Sequence, residues 1–145
     1  MIRTFLLLFL SLICIGVGRA GDASVNVKMA TELGGDATTT FTPDTEKIYA
    51  LFKTTGAKNG DKLRGLLIAE DVGDVAPANS RVLETKLDLE GDTDDGDFNF
   101  SKPTKGWPVG KYRVDIYLND ELVTSAKFTV NAGKKKSGDE EGSGN

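Results

Sequence analysis

Histidine is absent from the sequence, and cysteine occurs once, as Cys14. Histidine is the commonest general base and the commonest protein ligand of transition metals, so its absence removes both roles together. We expect Cys14 to be removed with an export signal, which leaves no thiol nucleophile and no disulfide. The remaining catalytic route is a carboxylate pair with one member in an apolar pocket, but every acidic residue falls in a predicted turn or on a strand's polar side. We therefore expect no enzyme activity.

The apolar run over residues 5–17 is shorter than the roughly 18 to 20 residues that a membrane-spanning helix needs. A basic residue precedes the run, and small residues lead to Ala20, which is the pattern of a signal peptide cleaved after Ala20. We expect residues 1–20 to be this signal peptide, and the mature chain to be secreted or periplasmic without membrane insertion. Lipid attachment at Cys14 stays open, although Ile13 stands where the attachment motif has Gly, Ala or Ser.

Positive charge is outnumbered, with 18 basic against 22 acidic residues. Arg3 and Arg19 leave with the signal peptide, so the mature chain carries a formal net charge of −6. Binding to nucleic acid or to an anionic membrane surface rests on positive charge, so we expect neither as a partner. A protein or a glycan partner stays open.

Apolar residues are scarce after Gly133, where three lysines are followed by three acidic residues and a glycine-rich end. Such a segment cannot bury enough apolar surface to order itself, so we expect a disordered polar tail over residues 133–145. Residues 21–132 remain, and they have the length of one sandwich domain.

Between these ends, short segments alternate apolar and polar residues and are separated by Gly, Pro and Asn turns, while no stretch shows a helical period over three turns. The predicted strands cover residues 24–30, 38–41, 47–54, 63–69, the second half of 81–90, 98–100, 111–118 and 122–130. The break at Gly34 suits a chain that crosses between sheets, and Asn119-Asp120 suits a two-residue hairpin turn. The sequence predicts an all-β, antiparallel sandwich of about seven strands.

The corner from Pro103 to Gly110 holds two prolines, two glycines and Trp107, and it leads directly to Tyr112 at the start of a strand. This arrangement resembles the tyrosine corner of immunoglobulin-like and fibronectin-like domains. The run KPTKGWPVGKYRV through to KFTV is similar to exported bacterial immunoglobulin-like domains whose role is largely undefined. The resemblance implies that the Tyr112 hydroxyl bonds a backbone group a few residues upstream, and that the domain is a non-catalytic binding or structural module.

The acidic run over residues 90–97 is a candidate calcium site, because calcium takes several carboxylate oxygens as ligands. Its candidate ligands are Asp92, Asp94 and Asp97. The spacing does not fit a helix-loop-helix calcium loop. The default interpretation of the run is a solvated connection between two strands. We therefore expect no cofactor unless calcium binds here.

Trp107 and Tyr117 offer a second alternative, an aromatic platform for a sugar or a peptide, if both rings are partly exposed at one end of the sandwich. The competing interpretation places Trp107 in the core as a cap beside Tyr112. The alternative function is thus a calcium-dependent adhesion or carbohydrate-binding module that uses the 90–97 loop together with Trp107.

Overall fold

The structure, a computed structural model, describes residues 23–133. The predicted signal peptide, and the predicted tail apart from Gly133, lie outside the described residues. The strands are β1 Ser24–Ala30, β2 Thr40–Phe41, β3 Lys47–Thr55, β4 Lys62–Asp71, β5 Ser80–Asp88, β6 Asp95–Ser101, β7 Gly110–Leu118 and β8 Glu121–Val130, with a 3-10 turn at Gly73–Val75 between β4 and β5. None of the helical segments in this range is long and apolar enough to cross a membrane.

The strands form two sheets, one with the order β1-β3-β6 and one with the order β2-β8-β7-β4-β5. All neighbouring strands are antiparallel except β2 and β8, which run parallel. The prediction of an all-β sandwich with mostly antiparallel strands is confirmed. The break around Gly34 separates β1 in the first sheet from β2 in the second. The chain therefore crosses between the sheets at Gly34, as predicted.

The core fills the space between the sheets with the alternate side chains of each strand. Buried residues include Ile48, Phe52, Phe98 and Phe100 from the smaller sheet, and Leu63, Leu67, Tyr112, Val114, Ile116, Phe128 and Val130 from the larger one. β4 is buried on both faces, because Leu66 and Ile68 on its outer face are buried as well. The tight Asn119-Asp120 turn has positive φ at both residues and joins β7 to β8.

Bulges in β5 and β8 explain two of the differences between the predicted and the observed strands. β5 begins at Ser80, whereas the sequence predicted a strand only in the second half of residues 81–90. Val82 has no partner between the Leu67–Leu83 and Ile68–Arg81 pairs, so the apolar and polar residues do not alternate in the first half of the strand. In β8, Val123 is the extra residue of a second bulge and packs against the core. Leu122, the first residue of the predicted strand 122–130, therefore points away from the core and is 52% exposed.

Candidate functional site

The acidic loop lies at one end of the sandwich and is held to the end of β3 by Thr54. The backbone N–H of Thr54 donates to the Asp94 carbonyl at 2.8 Å, and the Asp94 N–H donates to Thr54 Oγ1 at 2.9 Å. Thr54 is buried, so this pair of bonds fixes the loop against the core. Asp92 joins the same end through its carbonyl, which accepts a hydrogen bond from the Ala57 N–H at 3.1 Å.

The three candidate calcium ligands use their side chains differently. The Asp94 carboxylate accepts a hydrogen bond from the Glu90 N–H at 2.9 Å, and the Asp97 carboxylate accepts one from the Asn99 side-chain amide at 3.0 Å. Asp97 lies within β6, not in the connection as the sequence suggested, because β6 already begins at Asp95. Across residues 23–133, no group of three or more acidic side chains is placed to hold a metal ion. Calcium binding at this loop stays an untested alternative.

Trp107 lies at the opposite end of the sandwich and is 3% exposed. Its indole Nε1–H donates to the Thr45 carbonyl at 2.9 Å, and its ring meets Tyr112 edge-on at a centroid distance of 6.4 Å. The Tyr112 hydroxyl donates to the Pro108 carbonyl at 2.7 Å, which is the bond that the tyrosine-corner resemblance implies. The Tyr112 ring also stacks on Phe128, and its burial raises the pKa of the hydroxyl to about 12.

This geometry contradicts the aromatic platform and the joint use of the acidic loop with Trp107. Trp107 is buried and precedes β7 in the chain, whereas Tyr117 lies near the far end of that strand. Trp107 contacts Thr45, just before β3, and the acidic loop contacts Thr54, at the end of β3. A nine-residue strand spans about 30 Å, so the two features cannot hold one small ligand.

A hollow of about 450 Å³ opens beside Trp107, and we call it the corner hollow. Its lining is almost entirely apolar and comes from the end of β4, the turn after it, the bulge of β5 and the proline corner: Ala69, Val72, Val75, Ala76, Val82, Pro103, Thr104, Lys105, Gly106, Trp107, Pro108 and Tyr112. Val75 is 69% exposed and Val82 is 47% exposed at its mouth. Sequence reasoning missed this site, and the adjacent apolar pair Val82-Leu83 was its one visible signal.

The outer face of the larger sheet carries an ionic network. Arg113 Nε lies 3.0 Å from one Asp115 carboxylate oxygen and 3.1 Å from the other, and its Nη1 lies 3.3 Å from Glu70. The hydrogen bonds to Asp115 raise the pKa of Arg113. Ser125 donates to Asp115 at 2.6 Å. Asp115 is the one buried carboxylate among the described residues, and because a cation and a hydroxyl hold it, it lacks the apolar pocket that a general acid needs.

No family model matches the chain, and no curated protein matches it. Among solved structures, an immunoglobulin-like protein from Pseudomonas aeruginosa is 18% identical with a TM-score of 0.50, and the match covers 79% of this chain and 100% of that one. The alkylpurine DNA glycosylase AlkC from Pseudomonas fluorescens is 14% identical with a TM-score of 0.54, covering 76% of this chain. This chain spans only 30% of that enzyme. At these identities the likeness concerns the fold alone: the chain has an immunoglobulin-like β-sandwich fold.

Proposed function

We propose that this chain is an exported, non-catalytic immunoglobulin-like domain that serves as a binding module in the periplasm or outside the cell. The observation that carries the proposal is the corner hollow, which is apolar, open to solvent and walled by a rigid corner. The bonds from Trp107 to Thr45 and from Tyr112 to Pro108 fix that corner before any partner arrives. Such preorganisation lowers the entropic cost of binding.

The lining of the corner hollow favours a protein partner over a glycan. Sugar recognition needs several side-chain donors and acceptors aimed at hydroxyl groups. Among the residues that line the hollow, Trp107 and Tyr112 already donate to backbone carbonyls, which leaves the side chains of Thr104 and Lys105 as the polar groups free to meet a sugar. An apolar side chain of a partner would cover Val75 and Val82 and would be excluded from water there. Burying one valine or leucine side chain contributes about 1.5 to 3 kcal/mol, which suits one anchor of a larger contact.

Selection of peptides from a displayed random library tests the binding half of the proposal. We expect selected peptides to share an apolar anchor, and Val82→Asp to abolish their binding because it places a charge in the mouth of the hollow. Leu122→Asp is the matched control, since Leu122 is equally exposed but lies on β8 away from the hollow. A library that yields no binder, or binders that tolerate Val82→Asp, would overturn this half.

The export half rests on the signal-peptide pattern of residues 1–20 and on the lack of cysteine after them. The full chain, expressed in a Gram-negative host, should accumulate in the periplasm with Gly21 as its first residue, which mass spectrometry of the intact protein would show. Ala20→Phe should block this cleavage, because signal peptidase needs a small residue at that position. Retention of the uncleaved chain in the cytoplasm would refute export.

A further inference from the structure

The two sheets of the sandwich have unequal widths, three strands against five. At one side, β1 packs over β8. On the other, Gly65 of β4 faces the ring of Phe98 in β6, which places β6 over β4. β5 is the next strand beyond β4, so within residues 23–133 the larger sheet extends past β6 with no strand above it.

The uncovered part of β5 presents apolar side chains. Leu83 pairs with Leu67, and residues directly opposite each other in antiparallel strands point to the same face. Leu67 belongs to the core, so Leu83 also points toward the core side of the sheet, yet it is 47% exposed. Its neighbour Val82 is exposed to the same extent at the bulge. A core-facing leucine with half of its surface in water indicates a layer of the sandwich that is missing at this place.

Hollows lie at both ends of this uncovered strip. The corner hollow lies where β5 starts and β6 has just ended, between Val82 and the residues after Pro103. A second hollow, of about 320 Å³, lies where β5 ends and β6 starts, between Leu87 and Gly96. The strip along Leu83 and these two hollows together form what we call the open seam, which follows the length of β6.

β6 offers a backbone edge along the open seam. Its one neighbour in the described sheet is β3, so the backbone groups on its other side have no strand partner there. The outward side chains of its first half are acidic, Asp95 and Asp97, and the cation nearest to them is Lys53, 3.8 Å from Asp95. Acidic side chains on an edge repel a second acidic strand and attract a basic one.

We propose that the open seam accepts an extended segment of a partner protein, which adds to β6 as a further strand of the smaller sheet. Alternate apolar side chains of that segment cover Leu83 and enter the two hollows, and its basic side chains face outward beside Asp95 and Asp97. The contact rests on the proposed function and extends the corner hollow into a full binding groove. A segment of about seven residues matches the length of β6, roughly 23 Å.

The free edge of β5 fits such a segment less well. It carries Arg81, Lys86 and the Val82 bulge, and charged residues and bulges are the devices that protect an edge strand from pairing. A strand added there would also leave Leu83 uncovered, because it would extend the larger sheet sideways without lying above it. The apolar surface and the acidic edge therefore both favour β6.

A nine-residue peptide of alternating valine and lysine, acetylated and amidated, is the probe. We expect calorimetry to show binding, and hydrogen exchange to show new protection of β6 amides. The same peptide N-methylated at every residue should fail to bind, because it has no N–H left on either edge to complete the ladder. The double variant Asp95→Lys, Asp97→Lys should bind the probe about tenfold more weakly and should prefer an alternating valine–glutamate peptide.

Each other outcome overturns the inference in a distinct way. No binding of the probe at millimolar concentration refutes a basic strand at the open seam. Equal binding of the N-methylated peptide refutes strand addition. Either result leaves the proposed function standing if binding of the library peptides still depends on Val82. Sedimentation velocity of the protein alone tests a second copy as the occupant. If the protein forms a dimer that Asp97→Lys dissociates, the segment at the open seam comes from a second copy of this chain and not from a basic partner.

Discussion

Gly65 lies so close to Phe98 that a Cβ at position 65 would stand 2.6 Å from Cδ2 of the ring. The two residues belong to different sheets, and their contact sets how closely β4 approaches β6. Phe98 is buried and also meets the ring of Phe52 at 5.1 Å, so it cannot move away without disturbing the core. The glycine thus makes room for an aromatic ring that a larger residue would displace.

Gly65→Ala should destabilise the fold by about 1 to 3 kcal/mol, the usual cost of overpacking a core. Urea unfolding followed by Trp107 fluorescence measures this as a lower midpoint. Gly91→Ala is the control, because a Cβ at position 91 would have no atom within 4 Å. Equal midpoints for the two variants would show that the sheets separate without cost.

Trp107 should behave as a structural cap. Trp107→Ala removes a buried aromatic side chain and should cost about 3 to 5 kcal/mol. Trp107→Phe keeps a ring against Tyr112 but leaves the Thr45 carbonyl without its donor, so it should cost about 1 to 3 kcal/mol. Unfolding followed by circular dichroism ranks the variants. A near-normal midpoint for Trp107→Ala would contradict the cap.

Tyr112 should make stability fall at alkaline pH. Its pKa is raised from 10.0 to about 12 by burial, so the folded state holds the phenolic proton more tightly than the unfolded state does. The resulting stability is fully present below pH 10 and is lost as the pH rises through the folded pKa of about 12.

Tyr112→Phe isolates this contribution. The variant should be less stable than the parent at neutral pH, because the Pro108 carbonyl loses its donor, but its stability should fall less between about pH 10 and pH 12. Comparing the two proteins at each pH cancels the pH effects that they share. Parallel pH curves would show that the hydroxyl of Tyr112 titrates alike in both states.

Local alternation was enough to predict much of the fold. β1 was predicted with its observed bounds, and the predicted strand 111–118 differs from β7 by one residue, because each strand shows its apolar face directly in the sequence. The bulges at Val82 and Val123 could not be predicted, since a bulge depends on which residues the partner strand presents.

The candidate sites depended on distances that the sequence does not contain. Asp97 and Trp107 are ten positions apart, yet Asp97 lies near the start of β6, and the rest of that strand carries the chain toward the other end of the sandwich. The two residues are therefore close in the sequence but far apart in the fold. The open seam depends on how many strands each sheet contains, which is a property of the assembled sandwich and of no single segment.

Calcium should leave the stability of the fold unchanged. The Asp94 carboxylate accepts the Glu90 N–H through one oxygen, and the Asp97 carboxylate accepts the Asn99 amide through one oxygen. In the part of the chain that the structure describes, no group of three or more acidic side chains is placed to hold a metal ion, so calcium binding would require the loop to rearrange. A site with a Kd of about 1 mM would add about 1.4 kcal/mol at 10 mM calcium, which corresponds to a rise of about 5 °C in Tm.

Thermal melting in calcium chloride and in sodium chloride of equal ionic strength decides this, and we expect equal Tm values. Asp94→Asn separates the remaining possibilities, because its side-chain oxygen can still accept the Glu90 N–H while the charge that calcium would need is gone. If calcium raises the Tm by about 5 °C and this variant abolishes the rise, the loop rearranges into a set of calcium ligands. That result would support a calcium-dependent module that uses the 90–97 loop without Trp107.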